Sequence, residues 1–169
     1  MAVRAIIAAR CRDAKVNMLR TSYDGKNAFL SIFFERLDAA VAEVANGKAD
    51  VQSYLMQRYR LATSTIVTRD GATSFKFGSG SLPGDRLAAD LFRWVFTKHV
   101  AEWNGDIAGT NYGGFLDAMD PITGETLDMS VSLYADDIVR DTVFDGDFTT
   151  NDVVECVGRL DELLDQRLL

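Results

Sequence analysis

Apolar residues recur along this chain at two spacings, and the switches between them predict its elements. Val3, Ile6, Ile7 and Val16, with Ala filling the gaps, predict a helix over 2–16. Met18 to Tyr23 reads as a short strand that ends at Asp24-Gly25. Helical spacing then returns at Phe29, Ile32, Phe33, Leu37, Val41 and Val44, with Asn27 as N-cap and Asn46-Gly47 as the stop. A further helix is predicted over 50–61.

The period next drops to two. Ser64–Thr68 and Thr73–Phe77, rich in β-branched and aromatic residues, flank Arg69-Asp70-Gly71-Ala72 and predict a hairpin over about 64–77. The Gly-rich stretch Gly78–Asp85 leads into a helix over 86–103, on which Leu87, Leu91, Trp94, Val95 and His99 share one face. Residues 104–128 read as irregular, with turn signals at Asn104-Gly105 and Asp120-Pro121. A second hairpin is predicted over 129–144 and a last helix from Thr149 to Leu168. The order α, β, α, α, ββ, α, ββ, α implies an α+β fold, a small antiparallel sheet packed by helices on one side.

Composition adds limits. At 169 residues and 47% hydrophobic, the chain has the size and content of one globular domain. No apolar run approaches a membrane span. No secretory signal is visible, and the Arg-bearing N-terminus reads as a first structural helix rather than a transit peptide. Cys11 and Cys156 give neither a disulfide framework nor zinc spacing, which suits an intracellular setting, cytoplasm or nucleus. A net charge of −7 weighs against a freestanding nucleic-acid binder. The charge is uneven, however: residues 136–165 hold ten acids against two Arg, whereas 58–76 hold Arg58, Arg60, Arg69 and Lys76 against Asp70 alone.

The candidate chemistry lies in the acids. Asp136 and Asp137 fall between the strands of the second hairpin, where Asn-Gly or Asp-Gly would be the ordinary choice. Two like charges side by side suit a divalent cation, which removes their conflict. Asp24, at the end of a strand and before a helix, is a third acid of the same kind. Carboxylates from separate segments are what two-metal nucleotidyl transfer needs, provided the strands are neighbours.

Three ordered blocks carry a family resemblance: Tyr23-Asp24-Gly25-Lys26-Asn27-Ala28-Phe29, then Gly80–Phe92, then Tyr134-Ala135-Asp136-Asp137. Together they resemble the palm domain of a reverse transcriptase, nearest to the type of non-LTR retrotransposons and group II introns. The resemblance extends over about residues 3–165. It implies an RNA-directed DNA polymerase using Mg²⁺, or Mn²⁺ in its place, with RNA template, DNA primer and dNTP as partners. Asp24 and Asp136 would hold the metals, with Asp137 alongside and the Gly25 carbonyl as a further contact. Phe29 falls where the family excludes a ribose 2′-hydroxyl, and also fits a core stripe on its own helix. Gly84 would let the backbone approach template or nucleotide, and Tyr134 would sit beside the primer end.

The resemblance also implies that residues 1–169 form one palm domain with part of the fingers, without the thumb or the basic fingers segment. Two positions depart from the family: Pro83 stands where Gln is usual, and Leu30 where Asp is usual. A truncated or degenerate retroelement fragment without catalysis, at most an interaction module, is the alternative reading. Other motifs are weaker. Gly78-Ser79-Gly80 lacks the P-loop ending, and Cys156 stands where a calcium loop beginning at Asp145 needs Glu. His99, the one histidine, leaves no Ser/His/Asp machinery.

Overall fold

The computed structural model describes residues 2–24, 32–81, 85–113, 116–144 and 146–168, and of Ala2, Val3 and Leu168 the backbone alone. Its helices are α1 (Ala2–Asp13), α2 (Phe34–Ala45), α3 (Ala49–Arg60), α4 (Ala88–Ala108) and α5 (Thr150–Leu168). Its strands are β1 (Asn17–Asp24), β2 (Thr63–Thr68), β3 (Gly71–Lys76), β4 (Asp117–Met119), β5 (Thr126–Asp128), β6 (Val131–Tyr134) and β7 (Asp137–Phe144). Helices and small antiparallel sheets make the fold α+β, as the element order predicts. The chain divides into two compact units, Met1–Asp24 with His99–Leu169, and Gly25–Lys98.

The first unit is built on a three-stranded antiparallel sheet in the order β1-β7-β6. β7 is the central strand, and its middle residues Ile138 to Thr142 are all buried. Opposed residues share a face, so the register assigns the two sides. Tyr23, Arg140 and Thr142 take the side where α4 and α5 pack. Trp103 of α4, fully buried, meets Tyr23 edge-on at 5.7 Å, lies 5.8 Å from the Arg140 guanidinium, and donates its Nε1–H to the Leu160 carbonyl at 3.1 Å. A side chain of that size, fully buried, contributes about 2–3 kcal/mol. On the other side Arg20 donates twice to Asp141, at 2.6 and 2.8 Å, and reaches the Arg4 carbonyl of α1 at 3.5 Å.

Two expectations change here. α4 runs through Asn104-Gly105 to Ala108 instead of ending at 103. Val100, Trp103 and Ile107 continue one buried stripe, and that burial overrides the local turn preference of Asn-Gly. Residues 104–128 are also not wholly irregular, because β4 pairs β5 around the expected turn at Asp120-Pro121. Asp120 fixes that turn by accepting the Ile122 and Thr123 amides at 2.7 and 3.3 Å. At the far end, Thr149 caps α5 reciprocally. The Thr149 N–H reaches Asp152 at 2.6 Å, and the Asp152 N–H reaches the Thr149 hydroxyl at 3.3 Å.

In the second unit, Leu37, Ala40 and Val41 of α2, Leu55, Met56 and Tyr59 of α3, and Leu91, Val95 and Phe96 of α4 are buried. Asn46 ends α2 in the left-handed conformation at φ 49°, the stop read from Asn46-Gly47. Trp94 donates to Glu43 at 2.7 Å, and Tyr59 to Asp85 at 3.1 Å. β2 and β3 form the first expected hairpin. Its register pairs Thr68 with Gly71, so the two turn residues are Arg69 and Asp70, one position earlier than Asp70-Gly71 implied. Among the described residues, no helix is long and apolar enough to cross a membrane.

Two predictions test this frame. The Asp141 side chain is 4% exposed and that of Arg20 35%. Arg20→Ala therefore strands a buried carboxylate and is expected to cost about 3–5 kcal/mol in chemical unfolding. Asp141→Ala leaves a cation that water can reach, so its loss is smaller; equal losses would mean the pair is solvated on both sides. Asp152 is held below the usual carboxylate range by the Thr149 amide and then the Thr149 hydroxyl. A depressed folded pKa stabilises above the unfolded value of about 3.9 and is lost as pH falls below it. Asp152→Asn should thus lower the thermal midpoint at neutral pH and leave it unchanged near the acid end of that window.

Candidate functional site

Sheet register decides which of the candidate acids meet. Asp24, the last residue of β1, lies opposite Asp137, the first residue of β7, and Asp137 lies opposite Tyr134, the last residue of β6. The three residues therefore form one cross-strand row at one end of the sheet, with side chains on one face. The Asp24 and Asp137 Cα atoms, as direct antiparallel partners, are about 4.5–5.5 Å apart. Asp136 stands in the turn next to Asp137, so the fold sets Asp24 at the same end of the sheet as two acids more than a hundred residues later in sequence.

The turn itself is tight. Only Ala135 and Asp136 lie between the paired residues Tyr134 and Asp137. Asp137 is consequently a strand residue, and Asp136 alone of the two acids occupies the turn. Ala135 carries a positive φ of 55°, a conformation that costs a residue with a Cβ about 1–2 kcal/mol. Two-residue hairpins normally give that position to Gly, so the chain holds a strained turn next to its acids.

Electrostatics isolates the row. Among the described residues, no hydrogen bond or ion pair engages the carboxylates of Asp24, Asp136 or Asp137, whereas Asp141, Asp106 and Asp85 each hold an arginine. Asp24 is exposed, Asp136 and Asp137 are half-buried, and Tyr134 is 77% exposed. Like charges facing each other across two strands destabilise the pair. The donor set is hard carboxylate oxygen, the chemistry that Mg²⁺ or Mn²⁺ takes. The side chains do not form a closed cage: among the described residues, no group of three or more His, Cys, Asp or Glu is arranged to hold a metal ion. Mg²⁺ does not require one, because it commonly takes one or two carboxylates and completes its shell with water and substrate phosphate.

The other expected residues divide by position. Gly25, Phe29 and Gly84, with Asn27, Leu30 and Pro83, lie outside the described residues. A cavity of about 510 Å³ opens beside β1 and α5, lined by Tyr23, Asp161 and Asp165 among others, and none of the three candidate acids lines it. The Tyr23 hydroxyl is buried there near Asp161 with no hydrogen bond of ordinary geometry, and burial pushes its pKa up.

Sequence reading passed over Arg140. It is fully buried on the helix-packed side of β7, and burial lowers its pKa. Its Nη1 donates to the Asn104 side-chain oxygen, and the Asn104 amide in turn donates to Asp128 at 2.8 Å. Asp128 also accepts the Ser130 amide at 2.8 Å, just before β6. The signal was an arginine directly after two apolar residues of a central strand, Ile138-Val139-Arg140, where a buried charge needs an internal partner.

No family model matches the chain, and no curated protein sequence matches it. A solved structure of apo telomerase from Candida tropicalis, truncated from its C-terminal domain, is similar at a TM-score of 0.56 and 13% identity. The likeness covers 94% of this chain and 30% of that one. At such identity it shows the fold alone: the chain is folded like a part of that structure.

The unpaired row makes a prediction that needs no activity. Asp24→Asn and Asp137→Asn should each raise stability by about 0.2–1 kcal/mol at low salt, and added salt should narrow the gain. A fall in thermal midpoint in either variant would instead assign that carboxylate a structural role.

Proposed function

We propose that this chain is the palm of an RNA-directed DNA polymerase. The observation that carries the reading is the Asp24–Asp137–Tyr134 row with Asp136 in the adjoining turn. The reverse-transcriptase-like fold supports it. The three sequence blocks favour the non-LTR and group II intron type within that fold. The partners would be an RNA template, a DNA primer and a dNTP.

The reaction joins the primer 3′-oxygen to the α-phosphorus of the dNTP and breaks the bond from that phosphorus to the pyrophosphate oxygen. The hydroxyl proton leaves, and pyrophosphate departs with the bond's electron pair. Asp24 and Asp136 would hold Mg²⁺ or Mn²⁺, with Asp137 beside them. Bound there, the ions supply Lewis acidity and charge neutralisation for the phosphates. The chain's own part is placement. β1 and β7 set two carboxylates side by side, and the tight turn fixes a third, so little reorganisation accompanies substrate arrival. Tyr134, exposed on the same row, would pack against the primer-terminal sugar. Gly25 would add its carbonyl, Phe29 would occlude the space of a ribose 2′-hydroxyl, and Gly84 would admit a close backbone approach.

A second reading, a retroelement fragment that folds without catalysing, is favoured by one observation: the three acids form no closed metal cage among the described residues. Two measurements separate them. Primer extension on an RNA template with Mg²⁺ is expected, and Asp136→Asn should reduce it by about 10²-fold or more. Extension that survives this substitution removes Asp136 from its role. Mg²⁺ should also raise the thermal midpoint of the unsubstituted chain and not that of Asp24→Asn/Asp137→Asn, because an ion bound only by the folded state stabilises it. A chain that neither extends a primer nor responds to Mg²⁺ is the non-catalytic fragment.

A further inference from the structure

The acidic end of the first unit has a counterpart of opposite character in the second. β2 and β3 form an isolated two-stranded ribbon, and every residue but Ser64 is exposed. Such a ribbon is marginally stable in water without something against it. Register sorts its faces. Thr63, Thr65, Val67, Ala72, Ser74 and Lys76 share one; Ser64, Ile66, Thr68, Thr73 and Phe75 share the other.

Three features agree on what covers it. The first is charge. Arg60 at the end of α3, Lys76 at the base of the ribbon and Arg69 at its tip are exposed, and no carboxylate among the described residues holds any of them. This is a cationic strip on a chain whose net charge is −7. Arg58, half-exposed, leans on Asp85 at 3.3 Å and adds little. Second, the ribbon is dense in hydroxyls, with Thr65 and Ser74 joined at 2.7 Å across one face. Third, the Phe75 ring is 43% exposed and is braced edge-on by Phe77 at 5.5 Å, which leaves a fixed aromatic surface open. Cations spaced along an extended strand and a braced ring are the means by which proteins hold single-stranded nucleic acid: phosphates on the cations, a base on the ring. Lys76 and Phe75 lie on opposite faces, so the bound strand would follow the β3 edge, which reaches both. From Gly71 to Lys76 the track is about 17 Å long, a few nucleotides of extended strand.

We propose that the β2–β3 ribbon, with Arg60 at its base, binds single-stranded nucleic acid through Arg60, Arg69 and Lys76 to phosphates and Phe75 to a base. This deepens the polymerase reading by adding a strand-holding surface remote in sequence from the carboxylates, yet its test does not depend on catalysis.

The test is fluorescence anisotropy with a labelled single-stranded RNA and a labelled duplex of the same sequence, in Mg²⁺-free buffer. The unsubstituted chain is expected to prefer the single strand. Log affinity should fall against log salt with a slope of about 2, three phosphate contacts at about 0.7 each. Arg60→Glu/Arg69→Glu/Lys76→Glu should weaken binding by about tenfold or more near 50 mM KCl and flatten the slope. These side chains are exposed and unpaired, so far-UV circular dichroism should be unchanged. Phe75→Leu, which keeps the packing on Phe77, should weaken binding and leave the slope intact. Equal affinity of the charge-reversed and unsubstituted chains, a preference for duplex, or a ribbon that instead self-associates in light scattering would overturn the proposal. Ribbon-dependent binding together with primer extension that persists in Asp136→Asn would overturn the catalytic roles and leave the ribbon standing.

Discussion

The first unit depends on the pairing of β7 with β1. Arg20 and Asp141 are 121 residues apart in sequence, so the pairing closes a long loop at an entropic cost that local contacts cannot offset. Burial and register offset it together. Ile138 and Val139 are buried on opposite faces of β7, Trp103 closes one of those faces, and Arg20–Asp141 locks the other. A slip of one residue would turn Arg140 and Asp141 to the wrong sides, each away from its only partners. The same register is what puts Asp24 opposite Asp137. The geometry of the acidic end is thus a consequence of how the middle of the sheet satisfies its buried charges.

Those buried charges are handled differently on the two faces. Asp141 meets a guanidinium directly, at short range and with two hydrogen bonds. Among the described residues no carboxylate pairs with Arg140; the Asn104 amide stands between its guanidinium and Asp128. An amide relay transmits less field than direct contact, and this fits the downward pull of burial on Arg140 while hydrogen bonding to Asp141 raises Arg20. The relay also has a structural effect. It ties the end of β5 to α4 and β7, immediately before β6 begins, and so fixes the start of the strand whose far end is Tyr134.

Much of this fold was legible in the sequence, for reasons specific to each element. Alternation marked β6, β-branched and aromatic content marked β7, and Asn46-Gly47 marked the end of α2, because those signals are local. The α4 extension past Asn104-Gly105 was not legible, because it is driven by Trp103 and Ile107 meeting partners far away in sequence. The same applies to Arg140, whose placement is decided by Asn104 and Trp103 rather than by its neighbours. At the candidate site, the sequence identified Asp24, Asp136 and Asp137, but not that Asp137 is the strand residue and Asp136 the turn residue. That distinction follows from Ala135 accepting a positive φ, a choice that no propensity favours.

The acidic row contrasts with the buried carboxylate in the middle of the same sheet. Elsewhere in the first unit Asp141 and Asp106 are answered by an arginine, and Asp120 and Asp152 by backbone amides. At the row, two strands face carboxylate with carboxylate, and the turn beside them uses Ala where Gly would relieve strain. Neither choice helps the fold, and both weaken it. Local conflicts of this kind are expected where a sequence serves a ligand rather than its own stability. Neutral substitutions were open at each position without disturbing β7, since its packing lies in Ile138 to Thr142 and not at its first residue. The conflict lies at the end of the sheet where the proposed cation would offset it.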